Sequence, residues 1–384
     1  MPYWESSAVR GSIMRKSIIE KLQLHMAASD VDAIVCLSPE NFAYVSGFVV
    51  PSQPLMRWRH AAAVVPAKGQ GAFLAVDMEE STVVANAPES EVRTWGEFTE
   101  SAMRVLADLL VDLDLATARI GMEMDFIAAG DLAKLKSFIP KASFVPIEND
   151  LARLRELKTP DEIKLMRRLS RLADSTIKNA LEGVGPGDTE MDIAGGLTRN
   201  IYALGADDFK LMIVATGERS VFPNVGPTSR RLQSNDICRV EIFPVINGYH
   251  AGVCRTACVV EPPKHAKEIW KNLVECKYLV LDMIKPGAST KKIYEAFIAH
   301  LGKLKLPPIA FVGHGIGLHL HEEPYVGMYS DVPLEAGMVL GIEPLVYNTG
   351  HGFGMQNKDI VLVTETGSEL LSDVTNTDEL ITIA

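Results

Sequence analysis

The chain has 384 residues, 47% apolar and 23% charged, which suits a globular protein of two ordinary domains and excludes a disordered chain. Its formal net charge of −11 argues against nucleic acid or an anionic membrane as a partner, because those polyanions select basic surfaces. No apolar run reaches the length of about 18 residues that spans a bilayer, and the start Met1-Pro-Tyr-Trp-Glu-Ser-Ser lacks the basic-then-apolar order of a secretory signal. The reading is a cytoplasmic protein that takes a small-molecule substrate. Five cysteines, Cys36, Cys238, Cys254, Cys258 and Cys276, form no C-x-x-C pair and are expected as free thiols.

In chain order, Met14 to Ala28 reads as a helix with Ile18, Leu22 and Met26 on one face, and Asp32 to Leu37 as a short buried strand. Ala61 to Val65 and Gly71 to Val76 are strand candidates on either side of the turn-like Pro66-Ala-Lys-Gly69. A helix over Phe98 to Leu113, a strand Arg119 to Met122, a helix over Ala128 to Phe138 and Ser143 to Pro146 complete an α/β domain, 1–150. The connector Leu151 to Ile163 opens a second domain, 151–384. Thr159 is placed as an N-cap, with Pro160 at the first helical position and Glu162 closing a capping box. Beyond it, helices (Asp192 to Ala203, Ala266 to Ile284, Thr290 to Leu301) separate paired strand runs. Those runs are Leu211 to Thr216, Ile237 to Ile246, Thr256 to Val260, Met338 to Glu343 and Asp359 to Thr364. The fold class is α+β, with a largely antiparallel second half.

Chemistry concentrates in Gly313-His314-Gly315 and His321-Glu322-Glu323-Pro324, where glycines allow close backbone approach beside two imidazoles. This stretch reads as a catalytic shelf. The apolar run Met338 to Ile342 then delivers Glu343 at a strand end, so His314, His321 and Glu343 form one candidate centre.

Several phrases together resemble the creatinase, prolidase and aminopeptidase P superfamily. They are Leu157 to Ile163, Phe243-Pro-Val-Ile-Asn-Gly-Tyr249, Arg255-Thr256, Gly313-His314-Gly315, His321-Glu322 and Gly341-Ile-Glu343-Pro344. The resemblance implies an N-terminal α/β creatinase-type domain, a C-terminal pita-bread α+β domain, and a homodimer with a shared active site. Peptidases of that superfamily hold two metal ions with two Asp, one His and two Glu. Here His314 and Glu343 match, while Glu241, Gly252 and Lys358 stand where two Asp and the last Glu are expected. Hard divalent ions need several carboxylates, so the expectation is no dinuclear metal and no cofactor. A single ion on Glu241, His314 and Glu343 stays open.

The resemblance is nearest to the metal-free creatinase branch, which implies hydrolysis of a C–N bond in a small carboxylate-bearing amidine, guanidine or amide. The alternatives are a divergent metal-dependent Xaa-Pro peptidase and a non-catalytic binding protein on the same fold. By the same resemblance Asn224, Cys254 and Asn357 fall on creatinase site positions, and Arg59, with Arg57 beside it, reaches a partner's site to hold a substrate carboxylate. Cys254 is then a candidate nucleophile, provided that a histidine makes it a thiolate. Glu241, Glu343 and Arg255 complete the expected binding set, the carboxylates through charge-assisted hydrogen bonds.

Overall fold

The computed structural model describes residues 15–384 and divides into two compact units, Met1–Leu154 and Arg155–Ala384. Met14, where the first helix is expected to begin, and the Met1 start lie outside the described residues. No described helix is long and apolar enough to cross a membrane.

The first unit is a six-stranded mixed sheet in the order β4-β3-β2-β1-β5-β6. Its elements are α1 (Lys16–Ala28), β1 (Ala33–Cys36), α2 (Pro39–Ser46), β2 (Ala62–Pro66), β3 (Ala72–Val76), α3 (Glu80–Asn86), β4 (Glu91–Trp95), α4 (Ala102–Asp112), β5 (Arg119–Met122), α5 (Ala129–Phe138) and β6 (Ser143–Pro146). Three central strands, β1 to β3, are buried along their whole length, as continuous apolar runs require. Helix α4 lays Met103, Leu106, Leu109 and Leu110 on the sheet, each burial contributing about 1.5–3 kcal/mol.

Three elements of this unit, α2, α3 and β4, go unread in the sequence. Helix α2 starts where the Ser38 hydroxyl accepts from Asn41 N, with Pro39 in the first turn, and stops at Gly47, whose φ of 82° suits a residue without Cβ. Edge strand β4 is half-exposed and carries Glu91 and Arg93, so it lacks the apolar signal of its neighbours.

A nine-residue connector helix, α6 (Glu148–Glu156), leads to α7 (Pro160–Glu182), whose capping box forms as predicted between Thr159 and Glu162. Glu162 also accepts a 2.7 Å hydrogen bond from the Tyr249 hydroxyl, so two of the phrases singled out in the sequence meet at one carboxylate. Then come α8 (Glu190–Ala203), β7 (Asp208–Thr216), β8 (Ile237–Ile246), β9 (Tyr249–His250), β10 (Val253–Val259), α9 (Ala266–Met283), α10 (Thr290–Lys303), β11 (Phe311–Gly315), β12 (Glu322–Gly327), β13 (Val339–Ile342), β14 (Leu345–Val346), β15 (Met355–Gln356), β16 (Asp359–Val363), β17 (Ser368–Leu370) and β18 (Ile381–Ile383). The two larger sheets run β18-β10-β8-β7 and β12-β11-β13-β16-β17, antiparallel except where β18 joins β10. This is the α+β organisation that the strand pattern predicts. A bridge between Cys254 and Lys358 ties one sheet to the other, reinforced by Thr256 Oγ1 donating to the Gln356 carbonyl at 2.8 Å.

Candidate active site

Strand alternation sets the floor of the site. On β8 the side chains of Arg239, Glu241 and Phe243 share one face, and Glu241 stands opposite Cys254 of β10 in the antiparallel register. His314 lies inside strand β11, paired with Gly341 of β13, so the glycine-flanked stretch is a sheet strand and not only a shelf. Glycine at 341 eases the packing: a β-carbon there would press on Lys358 Cε at 3.2 Å and His314 Cε1 at 3.3 Å. Glu343 follows β13 and is fixed by its own N–H donating to the Val312 carbonyl at 2.8 Å.

These elements gather Glu241, His314, Glu343, Gln356 and Lys358, all buried. The Lys358 ammonium sits 3.2 Å from Glu241 Oε1 and 3.4 Å from Glu343 Oε2, and 4.8 Å from the centre of the Phe243 ring. Gln356 Nε2 donates to Glu343 Oε2 at 2.9 Å and to Glu241 Oε2 at 3.3 Å, while its Oε1 accepts from Arg239 Nη1 at 3.0 Å. Burial by itself raises a carboxylate, yet the Lys358 ammonium holds Glu343 well below the usual carboxylate range. Burial likewise opposes the charge on Lys358, and Glu343 and Glu241 outweigh it, so the ammonium is retained.

The His314 Nδ1–H donates to the Gly315 carbonyl at 2.7 Å, which in a neutral ring leaves Nε2 as an acceptor. Nε2 lies 3.2 Å from Glu343 Oε1, but off a hydrogen-bonding line, and neither atom has another partner among the described residues. Two buried acceptors therefore face each other, an arrangement that a proton or a donor group of a bound molecule relieves. His321 stacks on His314 with ring centres 3.7 Å apart and planes 12° apart. Desolvation, then His314, pushes His321 down to about 4, so it is neutral at ordinary pH.

Other expected site residues are placed differently. Arg255 is fully buried and pairs with Asp174 at 2.9 Å and Asp359 at 2.8 Å, while also donating to the Cys254 and Lys358 carbonyls. With these partners the guanidinium braces the backbone at Cys254 and Lys358. Cys254 is buried, and desolvation, reinforced by Glu241, pushes its thiol far up, so the thiolate that a nucleophile needs is suppressed. Cys254→Ser is expected to cost about 1–3 kcal/mol of stability and to leave turnover near that of the parent. A loss by orders of magnitude in folded protein would restore the nucleophile.

Asn224 is exposed on the loop whose Phe222 and Pro223 carbonyls accept from Arg239. Asn357 is fully buried, and its amide has no partner among the described residues. Arg57 and Arg59 belong to the first unit, where Arg57 donates to the Phe126 carbonyl at 2.8 Å and Arg59 pairs with Glu97 at 2.8 Å. Sequence reasoning missed Arg239 and Gln356, although period-two alternation from Glu241 was enough to place Arg239 on the site face.

The five-ligand dinuclear metal set implied by the resemblance does not fit this centre. An ammonium lies between the two carboxylates, and a side chain at Gly252 would run into the Phe243 ring. His314, His321 and Glu343 do bring one ligand atom each within 4.8 Å of one another. Nearly parallel stacked imidazoles, however, cannot both aim in-plane lone pairs at one ion about 2.1 Å away.

Comparison with known proteins locates this fold. The chain matches the creatinase/prolidase N-terminal domain over residues 18–157 and metallopeptidase family M24 over residues 164–365. The Xaa-Pro dipeptidase of Pyrococcus furiosus is 27% identical over 368 residues, covering 93% of this chain and 98% of that protein. A probable dipeptidase, PepE, of Mycobacterium bovis is 33% identical over 221 residues, covering 57% of this chain and 59% of that one. The crystal structure of a prolidase from Thermococcus sibiricus superposes with a TM-score of 0.83 at 25% identity, covering 97% of this chain and 99% of that one. These relatives overturn the expected creatinase-like hydrolysis of an amidine or guanidine, since the near full-length matches are named dipeptidase and prolidase and the partial one a probable dipeptidase. Nor do they support the metal-free branch. With its second domain matched across 164–365, the chain belongs to metallopeptidase family M24 and carries the pita-bread fold behind a creatinase/prolidase N-terminal domain.

Proposed function

We propose that the protein hydrolyses the peptide C–N bond of a short peptide, with Xaa-Pro dipeptides as the substrate class. The observation that carries the reading is the facing pair His314 Nε2 and Glu343 Oε1, buried, 3.2 Å apart and otherwise unpartnered. A water beside the pair, which at 3.2 Å is too close to admit one between its members, gives a hydrogen to one of the two acceptors. Its oxygen is thereby oriented, and the proton lost on attack at the peptide carbonyl passes to this pair. Gln356 and Lys358 keep the Glu343 carboxylate charged and pointed at His314, so the base is organised before substrate arrives. The buried Asn357 amide offers a donor and an acceptor for the peptide's own polar groups.

Metallopeptidase relatives support the reaction class, while the poor fit of two metal ions makes metal content the second quantity to measure. The test is release of free proline from a panel of Xaa-Pro dipeptides, run with added Mn²⁺ and with chelator. Turnover of Xaa-Pro and not of other dipeptides supports the reading. A panel untouched by folded protein under both conditions sinks it.

The shared-site homodimer belongs to this proposal too. Arg59, oriented by Glu97, is the guanidinium to test. Mixing Arg59→Ala and Glu343→Gln subunits is expected to recover activity in heterodimers, and a monomeric, fully active protein in light scattering overturns it.

A further inference from the structure

We infer that Lys358 is the resident cation of this centre, and that its ammonium, with the Phe243 ring beside it, excludes the divalent ions the family's fold is built to hold. The side chain is placed for this by the backbone. Lys358 N donates to the Cys254 carbonyl at 3.3 Å, its own carbonyl accepts from Cys254 N at 3.2 Å, and Arg255 Nη1 donates to that carbonyl at 3.0 Å. The stem therefore leaves a point locked from two sides. Gly341 leaves room for it, because any β-carbon there would meet Lys358 Cε.

The ammonium then occupies the space between Glu241 and Glu343, the two carboxylates that would otherwise need an outside cation. Two buried carboxylates this close repel each other, and one of them would have to take a proton if no positive charge lay between them. A lysine supplies that charge permanently, and it brings its own hydrogens. A divalent ion would need oxygens closing around it at about 2.0–2.6 Å, in a space already filled by the ammonium.

Phe243 completes the device. Its ring caps the ammonium at 4.8 Å and fills the volume that a side chain at Gly252 would need. An aromatic face attracts a cation without offering a ligand atom, so the ring favours the lysine and does nothing for a second metal ion. Charge and volume thus act in the same direction.

This inference concerns the same centre as the proposed function, but it does not depend on the substrate. The experiment is metal uptake by the full chain: dialysis against Mn²⁺, removal of free ion, elemental analysis, and thermal melting with and without Mn²⁺. The parent is expected to hold less than one ion per chain, with an unmoved melting midpoint. Lys358→Met, which keeps the stem and removes the charge, and Lys358→Glu are each expected to gain one ion on Glu241, His314 and Glu343, with a midpoint that rises with Mn²⁺. Adding Gly252→Asp and Phe243→Ala to Lys358→Glu is expected to admit a second ion. Two ions in the parent overturn the inference, whatever the variants do. So does the absence of any gain in Lys358→Met that retains parental circular dichroism. A second ion in Lys358→Glu alone overturns the role of Phe243. No Xaa-Pro turnover, alongside the expected uptake, sinks the substrate reading and leaves this one standing.

Discussion

Glu343→Gln should lower turnover by roughly 10²- to 10⁴-fold, the range that a positioned general base supplies. The change is isosteric, and an amide oxygen can still accept from Gln356 Nε2, so the fold has little reason to move. What disappears is charge. Lys358 then faces Glu241 alone, and the site loses the carboxylate beside His314 that takes the proton of the attacking water. The loss should fall mainly on kcat, since a group acting on water in the transition state contributes little to holding the ground state. Turnover number and KM on an Xaa-Pro dipeptide, with circular dichroism as the check on folding, decide it. A kcat near that of the parent would move the base to His321 or outside this cluster, and the proposed mechanism would fail with it.

How much of this was legible in the sequence depends on whether a signal was local. Strands such as Arg119–Met122 and Ile237–Ile246 read correctly because a buried run needs only its own residues, and the Thr159 capping box needs only four. Strands β11 and β12 were read as a glycine-rich shelf because they pair with each other across register shifts, which breaks the period-two pattern, and only β11 goes on to pair with β13. Substitution at metal positions was also visible, in Gly252 and Lys358. What could not be read was which group fills the space left behind. That the Phe243 ring takes the volume beside Gly252, and that Lys358 bridges two carboxylates rather than facing solvent, are tertiary facts. Reading the loss of ligands as nearness to creatinase was the error that followed. Absent ligands say which chemistry is impaired, not which substrate replaces the old one.

The largest loss of stability is expected from Glu322→Gln, a position that the sequence presents only as the neighbour of His321. Glu322 is buried and accepts from Arg155 Nε at 3.3 Å, Lys158 Nζ at 3.1 Å, Leu318 N at 3.1 Å and His319 N at 3.2 Å. It thereby fastens the start of the second unit to the turn that carries the site's histidines. Burial alone would raise its carboxyl, but Lys158 and Arg155 more than offset this and bring it down to about 2. Removing the charge leaves two cations facing a neutral amide, and breaking a buried pair from one side costs about 3–5 kcal/mol. The pH dependence has a definite sign. A carboxyl at about 4.3 in the unfolded chain and about 2 in the folded one adds stability that is fully present above the first value. That stability is lost as pH falls through the second, and the gap corresponds to about 3 kcal/mol. Urea midpoints at neutral pH should therefore drop sharply for Glu322→Gln, whereas Glu365→Gln, on an exposed carboxylate, should barely move them. Between about pH 4 and pH 2 the gap between parent and Glu322→Gln should narrow, because the parent's own carboxyl is then taking up its proton. A midpoint unchanged by Glu322→Gln at neutral pH, or a gap that widens on acidification, would show that this carboxylate is not what holds the turn.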